Sequence, residues 1–117
     1  MLAWFFDHMS FAGQSAVNQQ HFEAYVREVS KPGALRAGIN YYAAVWQDAE
    51  DNASLRTHRL AMPVLAMGGE ASSGPMLEAS WRPVAEHIEY FVIPKAGHWI
   101  GDENPAAVAR RLLEFLA

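Results

Sequence analysis

The chain has 117 residues, enough for one small domain; 51% of them are apolar and 19% charged, the balance expected of a soluble globular protein. A formal net charge of −4 gives no electrostatic reason to expect nucleic acid. The absence of cysteine rules out disulfides, thiolate chemistry and Cys-ligated zinc, which fits a cytoplasmic location. The longest apolar runs, 63–67 and 90–94, are far too short to span a bilayer, and the N-terminus lacks the basic region and cleavage site of a signal peptide, so no membrane association is expected.

Up to Asp48 the apolar residues recur at helical spacing: Leu2, Phe5, Phe6 and Met9; then Phe22, Tyr25, Val26 and Val29; then Leu35, Ile39, Tyr42 and Trp46. These predict two or three amphipathic helices, the second and third separated at Ser30-Lys31-Pro32-Gly33. There Pro32 pushes Lys31 out of the α region and Gly33 relaxes the backbone. Residues 48–56 form a polar linker whose Asp48, Glu50, Asp51 and Asn52 suit a short helix or turn. After it the pattern becomes that of an α/β protein. The apolar run 64–67, entered at Pro63 and left at Gly68-Gly69, suits a buried parallel strand. Ser73-Gly74-Pro75 predicts a helix start, with Met76, Leu77, Trp81 and Val84 on one face, and the run 88–93 predicts a second strand. A last helix is expected from Pro105 to Leu116, with Val108, Leu112, Leu113 and Phe115 toward the core and Asp102, Glu103 and Asn104 at the free N–H groups of its first turn. Strand, helix, strand, helix implies a right-handed crossover between adjacent parallel strands. Two fully apolar strands need cover on both faces and neighbours at both edges, so the expectation is the end of a larger sheet, with an apolar edge prone to self-association.

Between the second strand and the last helix lies Gly97-His98-Trp99-Ile100. An imidazole held on a turn after a buried strand takes a proton from water or a hydroxyl at neutral pH. A lone Gly-His pair is more often simply a turn, and the His98 ring also reads as a packed side chain. Tyr42 has two readings of equal weight: a neutral phenol donor whose ring packs on an apolar ligand, or a core residue of an amphipathic helix. Trp99 reads as packing for the loop. His8, His21, His58 and His87 share no metal-ligand spacing with one another or with carboxylates and read as solvated surface; no metal or cofactor is expected. Ser15, in Gly13-Gln14-Ser15-Ala16-Val17, lacks the second glycine of a nucleophile elbow and follows no strand.

One resemblance spans essentially the whole chain. Gly33-Ala34-Leu35-Arg36-Ala37-Gly38 with Asn40-Tyr41-Tyr42, then Met62-Pro63-Val64-Leu65-Ala66 with Gly68-Gly69-Glu70, then Ala96-Gly97-His98-Trp99 with Glu103-Asn104-Pro105, together resemble the C-terminal part of epoxide-hydrolase-like α/β-hydrolases. The resemblance implies a partial α/β-hydrolase fold: residues 1–47 as the rear of a helical lid, 48–62 as a linker, and 63–117 as the last two core strands with their helices. In that family an aspartate attacks the substrate carbon and a histidine-activated water hydrolyses the resulting ester. His98 matches that histidine. Tyr42 matches a lid tyrosine that hydrogen-bonds the epoxide oxygen or holds the leaving group. No residue matches the nucleophile, the oxyanion-hole segment or the other lid tyrosine, all upstream in the family, so the expectation is a C-terminal fragment inactive alone. Its complete enzyme would act on a small apolar epoxide or a halogenated substrate. Many relatives carry the orienting acid as the Asp of a Gly-Glu-x-Asp segment, where this chain has Ser72; the acid is expected after an earlier strand rather than at Glu70.

Overall fold

The computed structural model describes residues 1–55 and 57–117; Arg56, at the end of the polar linker, lies outside the described residues. The helical half opens with α1 (Leu2–Met9), a single 3-10 turn at Gly13–Ala16, and α2 (Gln19–Val29). Asn18 starts α2, its side-chain oxygen accepting the His21 N–H at 2.8 Å. Gly33, in the left-handed region at φ 82°, makes the corner into α3 (Ala34–Ala43). The expected third helix is in fact two. Ala44 closes α3 with its N–H on Tyr41 and Tyr42 carbonyls, and α4 (Val45–Leu55) takes up Trp46 and runs through the segment read as linker.

Two strands follow, β1 (Leu60–Gly69) and β2 (Ala85–Ile93), paired in parallel from Pro63↔His87 to Gly69↔Ile93. Both are longer at their entry than the apolar runs implied. The register slips between Leu60 and Pro63, where a proline has no N–H to give to the ladder. The connection between the strands is shorter in helix than expected: a 3-10 turn at Gly74–Met76 leads into α5 (Leu77–Trp81), which buries Leu77 and leaves Met76 exposed. A four-residue helix α6 (Ile100–Glu103) and then α7 (Pro105–Leu116) complete the chain, α7 packing on β2.

The core is small. Ile93, Ala96 and Ala107 are its buried centre, with Met67, Phe91, Ile100 and Val108 packed around them. On α7 the inward stripe is Ala107, Val108, Arg111 and Phe115; Leu113 falls off it and is 71% exposed, contrary to expectation, because 108, 111 and 115 share one side of a 3.6-residue repeat. Arg111 occupies the stripe by laying its stem inward, its guanidinium 5.4 Å from the Phe91 ring centre and paired with Glu89 and Glu114.

Candidate functional site

The loop after β2 lies close against the end of β1 and against the segment after α1. A Cβ at Gly69 would collide with the Ala96 and Gly97 carbonyls, and one at Gly97 would collide with Met9 O and stand 2.9 Å from Phe11 N. Glycine is required at both positions by the neighbouring backbone. Lys95 turns the chain out of β2 through the left-handed region, at φ 52°, a conformation that costs a side-chain-bearing residue about 1 kcal/mol.

The loop so formed is anchored on both sides of His98. Glu103 Oε1 accepts the Gly97 N–H at 2.9 Å and the Trp99 N–H at 3.0 Å. Its Oε2 accepts the Phe11 N–H at 2.6 Å. The His98 N–H donates to Met9 O at 2.8 Å. Asn104 donates to Pro94 O at 2.9 Å and accepts the Ala107 N–H at 3.2 Å, so it both closes the loop and caps α7. Of the three polar residues expected at that helix start, only Asn104 caps it. Glu103 serves the loop, and Asp102 faces the helical half.

Asp102 meets α2. Tyr25 donates its hydroxyl to Asp102 Oδ2 at 3.0 Å, and His21 Nδ1 lies 3.0 Å from Oδ1. His21 keeps the exposed position expected of it, its side chain 55% accessible, and from there it also reaches the loop region. Burial raises the Tyr25 phenol above its ordinary value, and the hydrogen bond to Asp102 and that carboxylate's charge act in the same direction. Below this polar contact Phe6, 3% exposed, gathers Phe22, Tyr25 and Trp99 at centroid distances of 5.9, 5.8 and 4.7 Å. The helical half and the strand-end loop thus share one aromatic cluster.

The His98 ring is exposed and stands edge-on to Trp99, centroids 4.7 Å apart at 86°. Among the described residues no carboxylate lies within ion-pair distance of it; Glu70 is exposed beside the loop, and the turn it begins is tied down by Ala71 N–H on Ala96 O at 3.1 Å. Tyr42 is 73% exposed and lines an open apolar cleft of about 340 Å³ together with Phe5, Leu35, Ile39 and Trp99. Trp99 also lines a second cleft of about 290 Å³ with Leu2, Phe6 and Tyr25. The two sequence-predicted residues are thereby related through Trp99: Tyr42 shares a cleft with it and His98 precedes it in the chain. No hydrogen bond joins the Tyr42 hydroxyl to the His98 ring among the described residues. Nor does any group of three potential metal-ligating side chains gather there.

Comparison with known proteins gives a consistent answer. The chain is 33% identical over 100 residues to a soluble epoxide hydrolase of Corynebacterium sp. (strain C12), a match covering 86% of this chain and 35% of the relative. It is 31% identical over 108 residues to epoxide hydrolase 3 of Mus musculus (89% and 28%) and 29% identical over 105 residues to epoxide hydrolase A of Mycobacterium tuberculosis (86% and 32%). The structure superposes on that of wild-type Cfl2 from Burkholderia cenocepacia with a TM-score of 0.89 at 31% identity, covering 99% of this chain and 40% of that one. On the epoxide hydrolase CorEH without ligand the TM-score is 0.81 at 28% identity, with coverage of 97% and 40%. No family model matches. The chain spans about a third of the length of the curated relatives it matches. In sequence and in structure it is thus a C-terminal part of an epoxide-hydrolase-like α/β-hydrolase, with lid-type helices followed by a strand, helix, strand, helix end of a parallel sheet.

Proposed function

We propose that this chain supplies the general base of a hydrolase of the epoxide hydrolase type. Residues 1–47 serve as the rear of the lid, 48–62 as a linker and 63–117 as the end of the catalytic core. The observation that carries the reading is the loop bearing His98, an exposed imidazole at the end of β2 whose flanking N–H groups are all anchored. In the complete enzyme a carboxylate nucleophile has formed an ester with the opened substrate. His98 takes a proton from a water as that water's oxygen attacks the ester carbonyl; the ester C–O bond breaks, and the alcohol leaves carrying a proton. Tyr42 donates its hydroxyl to the epoxide oxygen while the cleft it lines takes the apolar body of the substrate. No residue of the chain matches the nucleophile, and the 117 residues are inactive alone.

The test has two arms. The isolated chain is given styrene oxide, and turnover abolished by His98→Ala would overturn the claim of inactivity. A chimera with residues 1–117 in place of the matching part of the Corynebacterium relative is expected to turn over styrene oxide, to lose roughly 10²–10⁴-fold on His98→Ala, and to lose less on Tyr42→Phe. Halide release from a chloroalkane by the same chimera would favour the runner-up substrate class, that of a haloalkane or haloacid dehalogenase-like hydrolase. A non-enzymatic role as an association module is favoured by one observation, the amount of apolar surface left open. Trp46, at 81% exposure, is its extreme. A cytoplasmic location is supported by the cysteine-free sequence and by the lack, among the described residues, of a helix long and apolar enough to cross a membrane.

A further inference from the structure

We infer that Glu103 is the positioning residue of the His98 loop: one carboxylate, bonded to the backbone on either side of the histidine and to the segment after α1, sets where the imidazole stands. This rests on the reading of His98 as a base but uses none of its chemistry. A carboxylate is acceptor-only, and its two oxygens have room for several N–H groups. Here Oε1 takes Gly97 and Trp99, residues 97 and 99 flanking the histidine, and Oε2 takes Phe11. With the His98 N–H on Met9 O, three consecutive backbone donors are tied to groups outside the turn, and the ring keeps only the two torsions of its own side chain. Glu103 makes no contact with the ring itself. Its influence reaches the ring through the backbone and through Trp99, against whose edge the imidazole stands and which is in turn held by Phe6. The position is half-buried, so hydrogen bonds to this charged acceptor are stronger than neutral ones.

The test uses the whole chain, with nuclear magnetic resonance as readout. In the unsubstituted protein the His98 ring protons are expected to be displaced by the Trp99 ring current. The exposed His87 ring, on β2 opposite Pro63 and away from the strand-end loop, provides an internal control outside the contacts of Glu103. Glu103→Ala is expected to lose about tenfold or more of hydrogen-exchange protection at Gly97, Trp99 and Phe11, and to move the His98 ring signals toward those of a free histidine. His87 should stay where it is. Glu103→Gln has one acceptor oxygen, so it is expected to keep either the Gly97 and Trp99 bonds or the Phe11 bond but not both, and to move His98 part of the way. If the alanine variant does not fold, the glutamine variant decides alone. Unmoved His98 signals in the variants overturn the proposal, as does an equal movement of His87, a free-histidine position in the unsubstituted chain, or unfolding of both variants. None of these readouts needs turnover, so the loop assignment and the hydrolytic reading fail separately.

Discussion

At the level of single residues, backbone proximity decides more than side-chain chemistry does. Gly97 stands where a methyl group would enter the carbonyl of Met9, so Gly97→Ala forces apart the strand-end loop and the segment after α1. Overpacking of this kind costs about 1–3 kcal/mol, and the expected outcome is a lower midpoint in thermal melting. His98→Ala, by contrast, removes an exposed ring that makes no hydrogen bond or ion pair among the described residues and is expected to shift the midpoint little, within about 0.5 kcal/mol. The exposed turn that holds His98 was legible in the sequence, because Pro94 ends the apolar run before it and Gly97 opens it. The role of Glu103 was not. It reads as one more acid at the start of a helix, and the partner that reveals its real use, the Phe11 N–H, lies 92 residues away along the chain. The same holds for His21, which has a visible purpose only once Asp102 is brought to within 3.0 Å of it.

Between elements, the contact of α2 with α6 is one of the places where the helical half is fastened to the strand-end loop. The Tyr25 phenol is raised above its ordinary value chiefly by burial, and Asp102 adds to this through a hydrogen bond and its charge. A raised acid means that the folded chain holds the phenolic proton more tightly than the unfolded chain. The stabilisation is therefore whole below the ordinary tyrosine value of about 10 and is lost as pH rises through the raised folded value. Tyr25→Phe is expected to destabilise by about 1 kcal/mol at neutral pH; denaturant titrations repeated from pH 8.5 to 11 should show the difference from the unsubstituted chain shrinking only above pH of about 10. A difference that stays constant across that range would show that folding does not raise the phenol. The legibility of the elements follows their punctuation. The last helix has the bounds expected from Asn104 and Pro105, since a cap and a proline at the first turn fix its start. The break between α3 and α4 has no such mark. Ala44 stays in the right-handed helical region at φ −76° and ψ −13°, so the apolar spacing of Leu35, Ile39, Tyr42 and Trp46 runs across it as though the helix were continuous.

For the molecule as a whole, the accessible surface and the spread of mass point the same way. A self-contained monomer of 13.0 kDa has about 6,300 Å² of accessible surface, and this chain has 8485 Å². Its radius of gyration is 16.4 Å against about 13 Å for a compact domain of this length. The excess is apolar where it matters: Ile39, Tyr41, Tyr42 and Trp46 on the helices, Met62 on β1, and Leu113 and Leu116 on α7 are all exposed. The sheet adds to this, because β1 and β2 pair only with each other among the described residues and each presents an open row of backbone donors and acceptors. Surface of this kind associates in water, by strand addition at the open edge or by burial of the helical face. Sedimentation of the isolated chain is expected to give an average mass that rises with concentration above that of one chain. The two routes separate by substitution. A lysine placed on the exposed part of β1, as in Met62→Lys, should return the chain toward monomer if the sheet edge pairs, since a desolvated ammonium opposes edge-to-edge contact. Trp46→Lys should do so if the helical face is what meets. A monodisperse, cooperatively melting monomer at tens of micromolar would show instead that the small core around Ile93 is sufficient. The open apolar surface would then be a tolerated cost and not a binding face.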